Sequence, residues 1–405
     1  MTLEFDPGDQ AMLRNPHPVF KQLRETAPVH WSPKLSGWVV TSYELATEVL
    51  TDAEIFTADR FAPFQKRLSD EKQATTAEVM RWFKHWMVFR DPPDHTRLRR
   101  HMANILNVPV FDSMRETCEE VVEMLLDKLP RNEDFDFYSA FSLWMPGLVV
   151  ADLLGVERDR LLEVKQWSDD MMTFIGSSRG IPDKYERAKR GANGMGQYFL
   201  DLVAKRRASP QNDALSMLIE SEVDGQRLND DELVGSMMMV LNGGHETTAN
   251  LLNNSMLAMA HHPDVVKDLR ANPQKMNSAV EDFLRYDSPI FSIGRLVSQD
   301  VQLGEQTLRA GDRVFAMLIG ANRDPEVFRN PDELNVARTP NPHMAFGKGP
   351  HFCLGTPLAR MEGQIALGAI LKRFEKIELR EPVESIPWLN SMVTHGPTRM
   401  PLRLS

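Results

Sequence analysis

Apolar residues recur at helical intervals through the middle of the chain and alternate with polar ones mostly towards its ends. Thr117 to Leu129 (TCEEVVEMLLDKL) spaces its apolar residues three and four apart, which predicts an amphipathic helix. Ala188 to Arg207 and Asp213 to Ser221 repeat the pattern more weakly. The longest predicted helix runs from about Asp230 to His262, with Asn229, Asp230 and Asp231 as cap and first-turn charge and Pro263 as its stop. At 1.5 Å per residue it is about 50 Å long, and its MMMVL run predicts burial. Strand patterns cover Gly37 to Thr41, Val301 to Leu303, Thr307 to Arg309 and Arg313 to Leu318, with Gly304 and Gly311 as turn residues. Ile377 to Leu379 and Pro401 to Leu404 add two more. The expected fold class is mainly α with a small β lobe assembled from distant segments. With no internal repeat, low-complexity tract or long linker, residues 1–405 read as a single domain. Its β-rich lobe is expected from about 29–60, 290–320 and 377–405, and its helical lobe from the remainder.

Composition narrows the function classes. Hydrophobic residues make up 42% and charged residues 26%, ordinary values for a soluble globular protein. The net charge of −10 disfavours nucleic acid, which wants a basic footprint. No stretch reaches the roughly 18 uninterrupted apolar residues of a membrane span. The opening MTLEFDPGDQ lacks a basic segment followed by an apolar core, so no signal peptide is expected, and a soluble cytoplasmic protein is. Two cysteines, Cys118 and Cys353, exclude a disulfide scaffold and a Cys-rich zinc module.

The most informative stretch is Phe346-Gly347-Lys348-Gly349-Pro350-His351-Phe352-Cys353-Leu354-Gly355. Two glycines and a proline force an irregular loop before the cysteine, and Leu354 to Phe374 then reads as an amphipathic helix. A cysteine at a helix N-terminus meets the positive end of the dipole and unpaired N–H groups, which favour a thiolate. Gly355 has no Cβ to keep a flat cofactor away. Alone and anionic, Cys353 suits the axial position of haem; the alternative, a buried structural cysteine, suits Cys118 on its amphipathic helix.

Gly243-Gly244-His245-Glu246-Thr247-Thr248 lies midway along the long helix. Each interior glycine costs roughly 1 kcal/mol against alanine. The segment by itself is either a kinked core helix with a polar patch or a face that admits a cofactor or O2 beside an acid and an alcohol.

The pattern F-G-x-G-x-H-x-C-x-G resembles the haem-binding signature of the cytochrome P450 monooxygenases of the soluble bacterial type. The resemblance extends from about Pro16 to the C-terminus. It implies the triangular cytochrome P450 fold, haem b as cofactor and Cys353 as its iron ligand, with Phe346 and Gly355 at the cofactor. It implies that Glu246 and Thr247 are the acid–alcohol pair that delivers protons during oxygen activation, with His245 a packed side chain. His95, Arg99, Arg295 and His351 fall where the family holds the haem propionates. The family's Glu-x-x-Arg pair with a third arginine maps onto Asp282, Arg285 and Arg338. The acid here is shorter by one methylene, and Glu281 lies about 100° round the helix.

The implied reaction inserts one oxygen atom from O2 into a C–H bond of a small organic substrate, as hydroxylation or O-dealkylation. Electrons are expected from NAD(P)H through separate redox partners, because no flavin or iron–sulfur module is fused. A ferredoxin is expected at a basic patch containing Arg97, Arg100 and Lys348, on a monomer. A peroxide-driven haem enzyme and a non-catalytic haem sensor or carrier are the other classes. Met239, Asn242, Gly243, Phe291, Ser292, Ile293, Met392 and Val393 are the expected substrate-binding residues. Asn242 either bonds a nearby carbonyl or water, or fixes an oxygen of the substrate. Ala62 to Val88 is expected to hold the lid, whose Met80, Trp82, Phe83, Trp86 and Met87 either reach the pocket or simply pack. The region of Met171 to Ile175 is its expected roof.

Overall fold

In the computed structural model, which describes residues 5–175 and 181–405, the predicted long helix runs unbroken from Asp230 to His261 over 32 residues. Its start is a reciprocal capping box: Glu232 N donates to Asn229 Oδ1 and Asn229 N donates to Glu232 Oε2, both at 3.0 Å. Pro263 then opens a separate helix, Pro263–Ala271. Met237, Met238 and Leu241 are fully buried, as the apolar run predicts. Thr248, Asn250, Asn253, Asn254 and Ser255 are also buried, so the second half of the helix carries polar groups into the interior.

The other predicted helices form as Arg115–Leu126, Lys184–Ala208, Ala214–Glu220 and Thr356–Arg373. The predicted strand Arg313 to Leu318 is shorter: it ends at Ala316, and Leu318–Ala321 turns into helix. Gly304 and Gly311 take positive φ (+56° and +91°), the left-handed turn geometry that glycine permits.

The chain falls into two compact units. The first comprises residues 1–56, 115–146 and 246–405, of which the first four lie outside the described residues. In its main sheet Val29–Ser32 pairs antiparallel with Gly37–Val40, which runs parallel to Arg313–Ala316, itself antiparallel to Ile293–Val297. Trp38 lies opposite Val314, and Val314 opposite Arg295. Val40, Val314 and Ala316 join Val49, Leu50, Leu303 and Met344 in one core cluster. A second sheet sets Pro401–Leu404 between Ile377–Leu379 and Asp134–Asp136.

The helix Thr356–Arg373 carries an acid on its apolar stripe: Leu358, Glu362, Ala366 and Ile370 follow at four-residue steps and all are buried. Burial pushes the Glu362 carboxyl up to about 8, against the opposing effect of a hydrogen bond from Thr248. The folded protein therefore holds a proton that the unfolded chain releases near pH 4.5. Stability is expected to fall, by about 1.4 kcal/mol per pH unit at most, as pH rises through that window to about 8. Glu362→Gln is expected to flatten this slope, so its stability advantage over wild type grows with pH. Chemical denaturation of both proteins at several pH values checks it; parallel profiles would place Glu362 at its ordinary value.

The second unit, residues 57–114 and 147–245, is almost wholly helical. Leu161–Ile175 packs on Lys184–Ala208 at short range because Gly191 and Gly194 face Trp167, whose atoms would lie 2.3–2.4 Å from an added Cβ. Gly196 does the same for Trp82, whose indole N–H donates to Ala192 O. Phe61, Phe83, Trp86, Phe89 and Phe174 form a continuous ring cluster, with centroids 4.6–5.9 Å apart.

Candidate functional site

Within the first unit, the cysteine loop is shaped by its glycines. Gly347 and Gly349 have φ of +72° and +68°, and a Cβ on Gly349 would press to 2.8 Å from the Leu50 carbonyl. The loop closes through Phe352 N to Gly349 O (3.0 Å) and Cys353 N to Phe346 O (3.1 Å). The helix starts at Thr356, two residues later than expected, with Gly355 as its cap. Thr356 Oγ1 donates to Cys353 O at 2.8 Å and ties the loop to the first turn.

The two cysteines have opposite surroundings. Cys353 is exposed, whereas Cys118 is fully buried. Burial, then the charges of Glu362 and Glu119, push the Cys118 thiol far above its ordinary range and keep it protonated. Arg295 is buried on the strand Ile293–Val297, and His351 is half-buried in the turn Gly349–His351.

Asp282 is fully buried and gathers the triad. Arg285 donates through Nε (2.6 Å) and Nη2 (3.2 Å), Arg338 through Nε (2.9 Å), and the Asn335 backbone N–H at 2.5 Å. Glu281 serves a different network. Burial alone would raise its carboxyl, but hydrogen bonds from His343 and Arg360 outweigh this and hold it down to about 2.

Glu246 and Thr247 lie at the start of this unit's share of the long helix, both partly exposed. Thr394 Oγ1 donates to Glu246 Oε1 at 2.7 Å, a partner that no motif announced. It comes from the C-terminal turn, 148 residues away. Glu362, by contrast, was legible as an acid at a four-residue step in an apolar stripe.

Several expected pocket residues have other work. Phe291, expected at the substrate pocket, is fully buried between the rings of Phe20 and His395. Ser292 spends its hydroxyl on the Met392 carbonyl, and Met392 is itself buried. Ile293 and Val393 keep partial exposure.

In the second unit, His95 is buried in the first turn of Asp94–Ile105, and Arg99 follows one turn later on the same face. Gly243 is exposed, and a Cβ there would meet nothing within 4 Å. Gly244 is needed for packing, since its Cβ would lie 2.6 Å from Val150 Cγ2. His245 is buried against Gly147. Met239 is buried.

Asn242 is buried with both ends of its amide engaged. Oδ1 accepts from Ser168 Oγ at 2.5 Å, and Nδ2 donates to Met238 O at 2.7 Å. Of the two readings open for it, this geometry matches the internal one. Trp82, Phe83, Trp86 and Met87 are likewise buried packing residues, and Met80 is partly exposed. The three cations of the expected basic patch are engaged: Arg97 pairs with Glu232, Arg100 with Asp224, and Lys348 sits 4.3 Å from the Tyr43 ring centroid.

In the first unit, then, a glycine-shaped loop presents an exposed thiol at a helix N-terminus, and the same unit carries Glu246 and Thr247 side by side on the long helix. The family model for cytochrome P450 matches residues 10–401. The chain is 31% identical over 410 residues to the polyketide biosynthesis cytochrome P450 PksS of Bacillus subtilis, covering 100% of this chain and 99% of that protein. It is 32% identical over 396 residues to the vitamin D(3) 25-hydroxylase of Pseudonocardia autotrophica, covering 96% and 94%. Among solved structures, P450BioI in complex with acyl carrier protein ligated to hexadec-9Z-enoic acid superimposes with a TM-score of 0.89 at 30% identity, over 98% of this chain and 99% of that one. The testosterone complex of CYP109E1 from Bacillus megaterium gives 0.86 at 28% identity, over 98% and 99%.

The chain belongs to the cytochrome P450 family, and the fold is the mainly helical P450 fold with small sheets. It is an oxidoreductase of the haem-iron monooxygenase class. The residues present fit that cofactor: Cys353 offers a soft donor at the surface of its glycine-shaped loop, where Gly347 and Gly349 take positive φ. Among the described residues no helix is long and apolar enough to cross a membrane.

Proposed function

We propose that this protein inserts one oxygen atom from O2 into a C–H bond of an apolar organic substrate. One observation carries the reading: an exposed cysteine in a glycine-shaped loop occurs in the same unit as the acid–alcohol pair Glu246–Thr247. When bound, haem supplies the redox-active iron at which dioxygen is reduced, and its reactivity is raised by an electron-rich thiolate. Cys353 supplies that thiolate, held in place by the loop's own N–H···O=C bonds. His95, Arg99, Arg295 and His351 would hold the cofactor's carboxylates, and Phe346 and Gly355 would lie against it. Asp282, Arg285 and Arg338 form the structural triad of this single P450 domain.

Glu246 and Thr247 handle protons. The Glu246 carboxylate takes a proton from solvent-connected groups, and the Thr247 hydroxyl passes it on towards the reacting oxygen. Thr247→Ala is expected to keep haem and substrate binding while product formed per NADH falls roughly tenfold or more and hydrogen peroxide rises to match. Parallel assays of NADH, product and peroxide check it; unchanged coupling would remove Thr247 from the role. The presence of this alcohol also favours O2 over a peroxide-driven reaction.

Two features support a bulky apolar substrate. Phe64, exposed and set edge-on against Phe174 of the buried ring cluster, offers apolar surface. The relatives' names include a vitamin D(3) hydroxylase and a testosterone complex. With Asn242 engaged by Ser168, no preference for an oxygenated ligand is drawn from it. Gly243, which is exposed, and Ile293 and Val393, which are partly exposed, are the remaining candidates for contact. Electrons come from NAD(P)H through a ferredoxin. Arg100, whose side chain is 54% exposed, supports a surface cation for that encounter, although its pairing with Asp224 reduces the local field.

A further inference from the structure

The long helix presents Glu246, Asn250 and Asn254 at four-residue steps, hence on one face. At each of these three positions that face meets the C-terminal turn. Glu246 accepts from Thr394 at 2.7 Å. Asn250 abuts Gly396, where an added Cβ would lie 2.3 Å from its Oδ1. Asn254 Nδ2 donates to the carbonyls of His395 and Asp287, both at 3.1 Å.

The turn has little freedom of its own. His395 N donates to Pro289 O (2.8 Å), Phe291 N to Val393 O (2.8 Å) and Leu389 N to Gly396 O (3.0 Å). The His395 ring reaches Asp287 at 3.0 Å. Thr394 is buried on this frame, and of the two oxygens its hydroxyl can reach, Glu246 Oε1 at 2.7 Å is nearer than Ser391 Oγ at 3.3 Å.

Behind it stands Ser391, partly exposed, with Oγ 3.3 Å from Thr394 Oγ1. Ser391 Oγ already accepts the N–H groups of Val393 (3.1 Å) and Thr394 (3.2 Å). Its own proton is therefore available to point at Thr394, while the Thr394 proton points at Glu246.

We propose that Thr394 is a positioning residue for the proton-handling acid: it fixes the Glu246 carboxylate and, with Ser391 behind it, links that carboxylate to the solvent side by a chain of hydroxyls. The proposal rests on the proton role assigned to Glu246. Each transfer along the chain moves one proton between oxygens and leaves every hydroxyl with one, so no co-reactant is needed. A hydroxyl donor also stabilises the charged carboxylate, and its removal weakens that preference.

The test compares wild type, T394V, T394S and E246Q as haem-loaded proteins, with folding checked by circular dichroism. The first readout is the infrared carboxylate band that E246Q abolishes. In T394V this band is expected to shift in frequency, since the carboxylate loses its hydroxyl donor. The second is the share of NADH electrons lost as hydrogen peroxide, expected to rise at least threefold in T394V with substrate KM unchanged. T394S, which keeps the hydroxyl, is expected to restore both. The proposal is overturned if T394V leaves band and peroxide share at wild-type values while E246Q alters the peroxide share. If E246Q itself leaves coupling unchanged, the role of the acid fails first, and the proposal with it.

Discussion

Replacing Cys353 by serine is expected to abolish the thiolate-type spectrum of the reduced carbon monoxide complex and, with it, turnover. A serine hydroxyl stays protonated at neutral pH and is a hard oxygen donor, so the substitution removes the anionic sulfur rather than weakening it. The fold itself should survive, because Cys353 is exposed and its backbone bonds to Phe346 and Thr356 do not involve the side chain. Cys118→Ser is the control. It places a hydroxyl in a fully buried site, and a cost of roughly 1–3 kcal/mol is expected with the spectrum intact. The reverse pattern, a lost spectrum in the Cys118 variant and a kept one in the Cys353 variant, would refute the ligand assignment.

Asp282→Ala is expected to be the most damaging substitution away from the cofactor. Asp282 and Arg285 are both fully buried, and the carboxylate also receives Arg338 and the Asn335 N–H. Its removal leaves a buried guanidinium without its counter-charge, at a cost of about 3–5 kcal/mol. That is a large share of a typical folding stability, so little haem-loaded protein should accumulate. Asp282→Glu, which restores the longer acid of the family pattern, is also expected to destabilise, by about 1–3 kcal/mol, since the site is already filled at 2.6 Å. Thermal unfolding and haem occupancy of the two variants check both statements. A fully stable Asp282→Ala protein would show that the arginines are satisfied by their carbonyl partners alone.

What was legible in the chain follows the range of the interactions involved. The cysteine loop could be read directly, because two glycines with positive φ and a following helix are properties of ten consecutive residues. Asp282 and Arg285 could be read because a three-residue separation on one helix puts them side by side. The shortened acid still meets both arginines, Arg285 at 2.6 Å and Arg338 at 2.9 Å.

The pocket was much less legible. Phe291 and Met392 looked like lining residues by their apolarity, yet apolarity equally suits the core, and burial put both there. Asn242 looked like a reader of substrate because an amide beside glycines needs partners. Its partner, Ser168, lies 74 residues earlier on another helix, where no local pattern points to it. The aromatic residues of the lid region were equally ambiguous, since ring clusters form wherever apolar area can be buried.

By itself, the sequence determined the helices, their caps and stops, the cysteine loop and the position of the acid–alcohol pair along the long helix. Each depends on backbone preference and side-chain spacing within a few turns. Only the tertiary structure decided that Gly37–Val40 runs parallel to Arg313–Ala316, that Asn242 belongs to Ser168, and that the C-terminal turn brings Thr394 to Glu246. These pairings join residues far apart in the chain. Their partners are selected by which surfaces can be buried together with every polar group satisfied, a condition met only once the whole fold is in place.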